Sequence, residues 1–362
     1  MKNKTYLVVL CCLLIMSCND GSVYVEKING NEMLVCKANM LSSEVKDLPL
    51  SELVESVEVI RLETNDNCLI KDIRKVFVTD NYISLIENDQ RPCKLFDRKG
   101  NFITEIGKVG QGPHEYTSLS YLFIDEKNSR IYIMRGIMAN ELLCYDLEGN
   151  PHGIIPLYYK SLDKASFYIK DDIITVFSMP FTNREVFAFQ QNLKGELIKS
   201  IPATEEMFAY GYDGELYTSY SKGAYSLHYT SLDTVFHYDT KLNELIPKYR
   251  TQFEHDAFKV YSELPNHFIT FSMPNNIIVN KKTKKANYYS AQNDFLGGLD
   301  IGYFQNYNDF LIVKYNSFQL LEDLKKNINT PNLKKDVRDR MSALISSVDE
   351  DDNPVLVIGR LK

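Results

Sequence analysis

The segment of this 362-residue chain that most invites chemistry is "GKVGQGPHEY", Gly107–Tyr116, with three glycines, a proline, a histidine and a glutamate in ten residues. Glycine-rich loops cradle phosphates when a helix N-terminus stands behind them and a G-K-[ST] ending supplies the lysine and the hydroxyl. This loop lacks that ending. Pro113 follows Gly112 directly, and "HEYTSLSYLFI" continues as a strand. Nucleotide binding is therefore not expected. The expectation is a tight connection between two strand units. Glycine permits close backbone approach, Pro113 fixes the exit, Glu115 accepts backbone N–H bonds and Tyr116 packs between the units. Connections of this kind also carry binding residues, so Gln111, His114, Glu115 and Tyr116 are the candidate ligand contacts.

Other constellations point to less. "DEDDNP" places Asp349, Asp351 and Asn353 at positions one, three and five of a calcium loop. Pro354 then stands where glycine is needed and Arg360 where glutamate belongs, so a solvated turn is expected. Six histidines (His114, His152, His228, His237, His255 and His267) form neither H-x-H nor H-E-x-x-H spacing, and no G-x-S-x-G elbow is present. Neither a metal nor a cofactor is expected, and no catalytic residue is assigned. Aromatic runs such as "AYGYDGELYTSY" (Ala209–Tyr220) and "NYYS" (Asn287–Ser290) offer platforms for sugar rings. Strands favour such residues in any case. The absence of tryptophan removes the usual WD40 signature.

Strand-like runs with turn signals dominate from Val57 to about Val313, and they repeat. "DRKGN" at Asp97–Asn101 returns as "DLEGN" at Asp146–Asn150, then as "QNLKGE" at Gln191–Glu196 and "DTKLNE" at Asp239–Glu244, with a fainter copy in "NKKTKKA" at Asn280–Ala286. Spacings in the forties with four short strands per unit are the signature of a β-propeller. Each turn needs a residue that accepts positive φ, which accounts for Gly100, Gly149 and Gly195, with Asn243 as substitute. Units are expected to start near Lys75, Tyr121, Ser166, Tyr210 and His267. A sixth combines "SVEVIRLE" (Ser56–Glu63) with the terminal "NPVLVIGRLK". Pairing strands from the two ends closes the ring and removes an open edge. The expected fold is thus all-β, a six-bladed β-propeller. Helices are expected over Leu48–Val57, with Ser51 as cap and Glu52 and Glu55 in the first turn, and on both sides of Pro331. In the last of these Val337, Met341, Leu344, Ile345 and Val348 form an apolar stripe for packing on the rim.

The N-terminus reads as an export signal. Lys2 and Lys4 precede an apolar run from Tyr6 to Met16, too short to span a bilayer. "IMSC" then places Cys18 after a small residue, as in the bacterial lipobox, where the cysteine is lipidated and becomes the first mature residue. A plain secretory signal is the alternative. Removal of residues 1–17 takes two lysines and no acid, leaving 39 basic against 48 acidic side chains and a net charge of −9. That balance argues against nucleic acid and against anionic headgroups. Cys36, Cys68, Cys93 and Cys144 remain. Four cysteines allow three pairings, and the strand-like settings of Cys93 and Cys144 suit buried free thiols.

"KLFDRKGNFITEIGKVGQGPHEY", "DTVFHYD" and the terminal "DDNPVLVI" together resemble six-bladed β-propeller lipoproteins of the Bacteroidetes type, over about residues 45–362. Those proteins share a "G-x-G-P-G-E-Y" loop after the first blade; here His114 replaces its last glycine. The resemblance implies kinship to NHL- and TolB-like propellers and a binding role. It implies an outer-membrane lipoprotein, periplasmic or surface-facing, with residues 1–17 as signal, 18–44 as tether and linker and 45–362 as propeller. The expected partner is a protein or glycan, the expected state a monomer, and the membrane contact is through the lipid alone. The alternative is a polysaccharide hydrolase or lyase with its site at the axial mouth. A mouth gathering His, Tyr, Arg and carboxylates would favour the enzyme.

Overall fold

The computed structural model describes residues 21–87, 91–136, 138–161, 164–180, 186–208, 215–221, 223–229, 232–255 and 258–362. The signal segment and Cys18 lie outside them. Six four-stranded antiparallel sheets succeed one another around an axis. Blade 1 comprises Ile73–Val78, Tyr82–Glu87, Cys93–Asp97 and Phe102–Ile106. Blade 2 comprises Leu119–Asp125, Arg130–Arg135, Ala139–Tyr145 and Pro151–Ser161. Blade 3 is Ala165–Lys170, Ile173–Ser178, Val186–Asn192 and Leu197–Pro202. Blade 4 is Leu216–Ser221, Ala224–Tyr229, Thr234–Asp239 and Glu244–Gln252. Blade 5 is Lys259–Glu263, His267–Ser272, Asn276–Asn280 and Ala286–Asn293. Blade 6 takes Gln305–Tyr307 and Phe310–Tyr315, then the C-terminal strand Val355–Leu361, and last Val54–Arg61 from the other end of the chain.

The repeated turn has a direct chemical cause. Asp97 Oδ1 accepts from the backbone N of Lys99 (2.8 Å) and Asn101 (2.9 Å), and Asp146 Oδ1 does the same for Glu148 and Asn150. Asn192 repeats the arrangement in blade 3, and Asp239 and Asn280 vary it in blades 4 and 5 by accepting from the backbone two and three residues on. Such a side-chain turn reverses the chain before the outer strand, and its next-to-last residue lies in the left-handed region. Gly100 (φ +92°), Gly149, Gly195, Asn243 (φ +59°) and Lys284 fill that position.

The ring is sealed by strands from both ends. Val357 pairs with Val59 and Gly359 with Val57 in antiparallel register. Val355, Leu356, Val357, Ile358 and Leu361 are all buried, and each such side chain stabilises by about 1.5–3 kcal/mol before ordering entropy offsets it. Asn353 locks the seam. Its Nδ2 donates to Glu63 O (2.6 Å) and Cys68 O (3.0 Å), and its Oδ1 accepts from Ile70 N (2.8 Å). The turn is therefore anchored and not merely solvated. Among the described residues no group of His, Cys, Asp or Glu is placed to hold a metal.

Two expectations need correction. Leu48–Val57 is not a helix: a single turn, α1 (Leu50–Leu53), precedes the strand Val54–Arg61, and Pro49, not Ser51, stands at its N-cap without a side-chain bond. The β-branched Val54, Val57 and Val59 commit this stretch to the closing strand, where tertiary pairing overrides the local charge pattern. His267 begins the second strand of blade 5, not the first; the inner strand Lys259–Glu263 is short and offers little pattern to read. The start expected at Tyr210 lies outside the described residues. The other starts fall within two residues of expectation. The helices α2 (Ser317–Asn327) and α3 (Lys335–Ser347) are inserted between the second and third strands of blade 6. Val337, Met341, Leu344 and Val348 bury the expected stripe of the latter against blades 5 and 6.

Within 18–44, read as tether and linker, Val23–Ile28 and Asn31–Lys37 form a hairpin. Its second strand adds in parallel to the outer edge of blade 4. Val45–Pro49 adds likewise to blade 5. Cys36, Cys68, Cys93 and Cys144 are all buried free thiols.

Candidate functional site

The glycine loop is built around Glu115 and Tyr116. Glu115 Oε2 accepts from Gly112 N at 2.9 Å, and a β-carbon on Gly110 would lie 2.0 Å from that oxygen. Tyr116 is buried between blades 1 and 2. Its hydroxyl accepts from Cys93 N (2.9 Å) and donates to Ile106 O. Lys108–Val109 and Glu115–Tyr116 pair in parallel, and Tyr145 donates to His114 O at 2.8 Å. His114 is not among the residues with positive φ, so its position tolerates a side chain. Gln111 is exposed, while the His114 Nδ1 is buried and has no hydrogen-bond partner among the described residues. The four residues form one loop, but they do not line the axial cavity.

That cavity, of about 210 Å³, opens at the face where the inner strands begin. Every blade contributes to it: Arg74 and Lys75 from blade 1, Tyr121 from blade 2, Ser166 from blade 3, Tyr217, Thr218 and His228 from blade 4, Tyr261 and Glu263 from blade 5, and Gln305, Asn306 and Lys314 from blade 6. Polar side chains of the inner strands bridge to the next blade and hold the wall. Lys75 Nζ donates to Ser120 O (3.3 Å), Ser120 Oγ to Ala165 O (3.0 Å), Ser262 Oγ to Asn306 Oδ1 (2.8 Å) and Gln305 Nε2 to Val76 O (2.6 Å). Blade 5 departs from the pattern. Its inner strand leans on the second strand of blade 4, where Ser226 Oγ donates to Glu263 Oε2 at 2.7 Å. The base is closed by rings. Phe77 sits 5.2 Å edge-on from both Tyr121 and Tyr307, and Tyr121 donates to Tyr168 at 2.8 Å, all of them buried. A separate hollow on the opposite face, lined by Asp80, Lys170 and Arg360 among others, lies beyond this plug.

The electrostatics of the cavity run against the acidic balance of the chain. Arg74, Lys75 and Lys314 face one carboxylate, Glu263. Burial pushes the Glu263 carboxyl up, but the hydrogen bond from His237 (2.7 Å) and the charge of Lys281 (2.5 Å) outweigh it and hold it down at about 2. It is spent on that pair. The ammonium of Lys75 is surrounded by protein, and burial, then the neighbouring Arg74 charge, lower it to about 8 against the pull of Glu215. It lies 5.2 Å from the Tyr121 ring centroid. Burial, then Lys259, lowers His228 to about 3, so it is neutral. Its Nδ1 accepts from Tyr261 N (3.4 Å), which leaves the proton on Nε2. Tyr261 itself donates to Asp233 (2.9 Å) and accepts from Thr251 N. At the mouth, Tyr217 stacks on His228 (10° between planes), and Tyr303, 54% exposed, lies 4.8 Å from Phe271.

This arrangement can accept an anion and hold a ring. The aromatic run Ala209–Tyr220 pointed to Tyr217 and Thr218, but the site as a whole did not stand out in the sequence, because its residues come from all six blades about 45 residues apart. The usable signal is the polar residue recurring in each inner strand: Lys75, Ser120, Ser166, Thr218, Ser262 and Asn306.

Known proteins place the chain as follows. A Bacteroides fragilis protein inferred to be exported superposes with a TM-score of 0.66 at 17% identity, over 88% of this chain and 98% of that one. A member of the DUF4221 family from Bacteroides vulgatus gives 0.46 at 13% identity, over 86% and 97%. The first likeness supports the propeller fold. No curated protein sequence matches. The profile of a domain of unknown function, DUF4934, matches residues 37–267, more than half of the sequence, and the chain belongs to that family.

Proposed function

We propose that the chain is an exported propeller, anchored through Cys18 to the cell envelope, that binds a small anionic ligand in its axial cavity without transforming it. The observation that carries this reading is Lys75. It is an ammonium desolvated inside the cavity, bonded to Ser120 O at 3.3 Å beside Arg74, and the carboxylate that attracts it, Glu215, is itself paired with Lys164 at 2.7 Å. A buried cation whose counter-charge is shared is costly, and an anionic ligand would supply a second one. The resemblance to NHL- and TolB-like propellers and the likeness to an exported Bacteroides fragilis protein support reading the chain as an envelope binding module. Gln111 and His114 are available for a secondary contact, whereas Glu115 and Tyr116 are occupied by the fold.

The mouth does gather His228, Tyr217, Arg74 and Glu263, the mixture that favours an enzyme. Their states argue otherwise. Glycoside hydrolysis needs two carboxyl groups, one of them protonated. Among the described residues one carboxylate lines the cavity, and it is held ionised. A lyase needs a base near working pH, and Lys75 meets that condition. Thermal-shift titration with carboxylates, phosphate and sulfate between pH 6 and 10 tests the binding reading. Stabilisation should fade above about pH 8 and vanish in Lys75→Met. An anion response that Lys75→Met leaves unchanged overturns it, and formation of unsaturated sugar from a polyuronate would favour the lyase. Loss of acyl-chain labelling in Cys18→Ser tests the anchor.

A further inference from the structure

We propose that the anion is carried on a single sugar ring, so that the axial cavity takes one uronic-acid unit. The inference rests on the anion reading above and deepens it. Three observations select a ring over an inorganic ion or a fatty acid.

Size is the first. The cavity holds about 210 Å³ and is blind, closed by Phe77, Tyr121 and Tyr307. That is below the roughly 300 Å³ at which drug-sized sites begin, yet far more than an isolated phosphate or carboxylate fills. A long acyl chain has no room.

The second is the distribution of polar groups. The cations Arg74, Lys75 and Lys314 come from blades 1 and 6, whereas blade 4 offers neutral donors and acceptors, beside the blade 5 carboxylate Glu263 that His237 and Lys281 already pair. The His228 Nε2–H, the Tyr217 hydroxyl and Ser219 belong to that side, as does the hydroxyl oxygen of Thr218, which donates to Ser166 (2.7 Å) and retains a lone pair. A carboxylate on one side of a ring and hydroxyls on the other meets both.

The third is the aromatic edge. Tyr217 is held flat against His228, and Tyr303 is held against Phe271 at the mouth. The C–H face of a pyranose covers such a ring, whereas a free inorganic anion is repelled by the negative face of the aromatic system.

The test uses the processed, detergent-solubilised protein in isothermal titration with glucuronate, galacturonate, glucose, acetate and phosphate. Uronates should bind at least ~10-fold more tightly than either glucose or acetate, since each half of the ligand contributes a charge-assisted or stacking contact. Lys75→Met should weaken uronate by ~10-fold or more and leave glucose unchanged, and Tyr217→Leu should weaken both sugars and leave acetate unchanged. Circular dichroism confirms that each variant is folded, and Lys314→Met gives a second removal of charge. If acetate or phosphate binds as tightly as the uronates, the sugar inference is overturned while the anion reading stands. If glucose equals the uronates, or if no probe binds, both readings are wrong.

Discussion

Asn353→Ala removes the side chain that joins the C-terminal strand to the loop after the N-terminal one. Asn353 is 3% exposed and makes three side-chain hydrogen bonds, to Glu63 O, Cys68 O and Ile70 N. Each is worth about 0.5–1.5 kcal/mol, and a buried backbone group left without a partner costs about 1–3 kcal/mol. Water can reach some of the vacated space, so a loss of about 4 kcal/mol is expected, a large share of an ordinary domain's ~5–15 kcal/mol. Unfolding entropy of about 2.1 cal/mol/K per residue over the roughly 320 described residues converts this to a fall in Tm of about 6 °C. Thermal unfolding followed by circular dichroism reads it directly. Asn353→Asp retains the acceptor for Ile70 N and loses both donors, so it should fall at least as far once the new buried charge is counted. Asp351→Ala, at an exposed position in the same turn, should match the parent within 1 °C. If Asn353→Ala melts with Asp351→Ala, the seam is not held by this side chain and the account of ring closure fails.

Four further outcomes follow from the geometry. Gly100→Ala combines φ +92° with a β-carbon 2.1 Å from Arg61 O, so it should destabilise by more than ~2 kcal/mol, against ~1 kcal/mol for Gly223→Ala, which meets nothing within 4 Å; equal urea midpoints would refute the clash. Tyr116→Phe strips the acceptor from the buried Cys93 N and should cost about 1–3 kcal/mol in urea unfolding without altering the blade count seen by small-angle scattering. The folded pKa of His228 is depressed from 6.5 to about 3, so the stability it contributes is present above pH 6.5 and is lost as pH falls towards 3; His228→Gln should flatten that part of the stability–pH curve, and an unchanged slope would sink the assignment. Lys75, lowered to about 8, makes folding less favourable as pH falls from 10.5 to 8, and Lys75→Met should remove that segment of pH dependence.

The ring was legible in the sequence because its turns are chemically explicit. An Asp or Asn that bonds the backbone two and four residues on, followed by a glycine in the left-handed region, leaves the same trace at 97, 146 and 192, and Asn243 extends it to blade 4. Closure was legible too, since "NPVLVIGRLK" has no partner nearby in sequence. What misled was local signal without tertiary context: "LPLSELVESV" carries the charges of a helix start, yet Val57 and Val59 are claimed by Gly359 and Val357. The inner strand of blade 5 went unread because "KVYSE" is brief and mostly polar. The glycine loop was read for its structural role, and Glu115 and Tyr116 stand as that role requires. The cavity could not be read, because Lys75, His228 and Glu263 meet through the topology of three blades and share no motif.

The chain threads blades 4, 5 and 6 in turn before the ring is complete, and this sets the order in which a tug on the N-terminus would be felt. Tension arriving at residue 21 meets first the hairpin between Val23–Ile28 and Asn31–Lys37, then the seam beside Tyr249–Gln252, next the one beside Tyr288–Gln292, and last the staple between Val54–Arg61 and the C-terminal strand. Three sacrificial seams thus shield the final one. A protein hung from a moving surface by that end could lose its outer stitching under shear and restore it afterwards, with the toroid intact throughout.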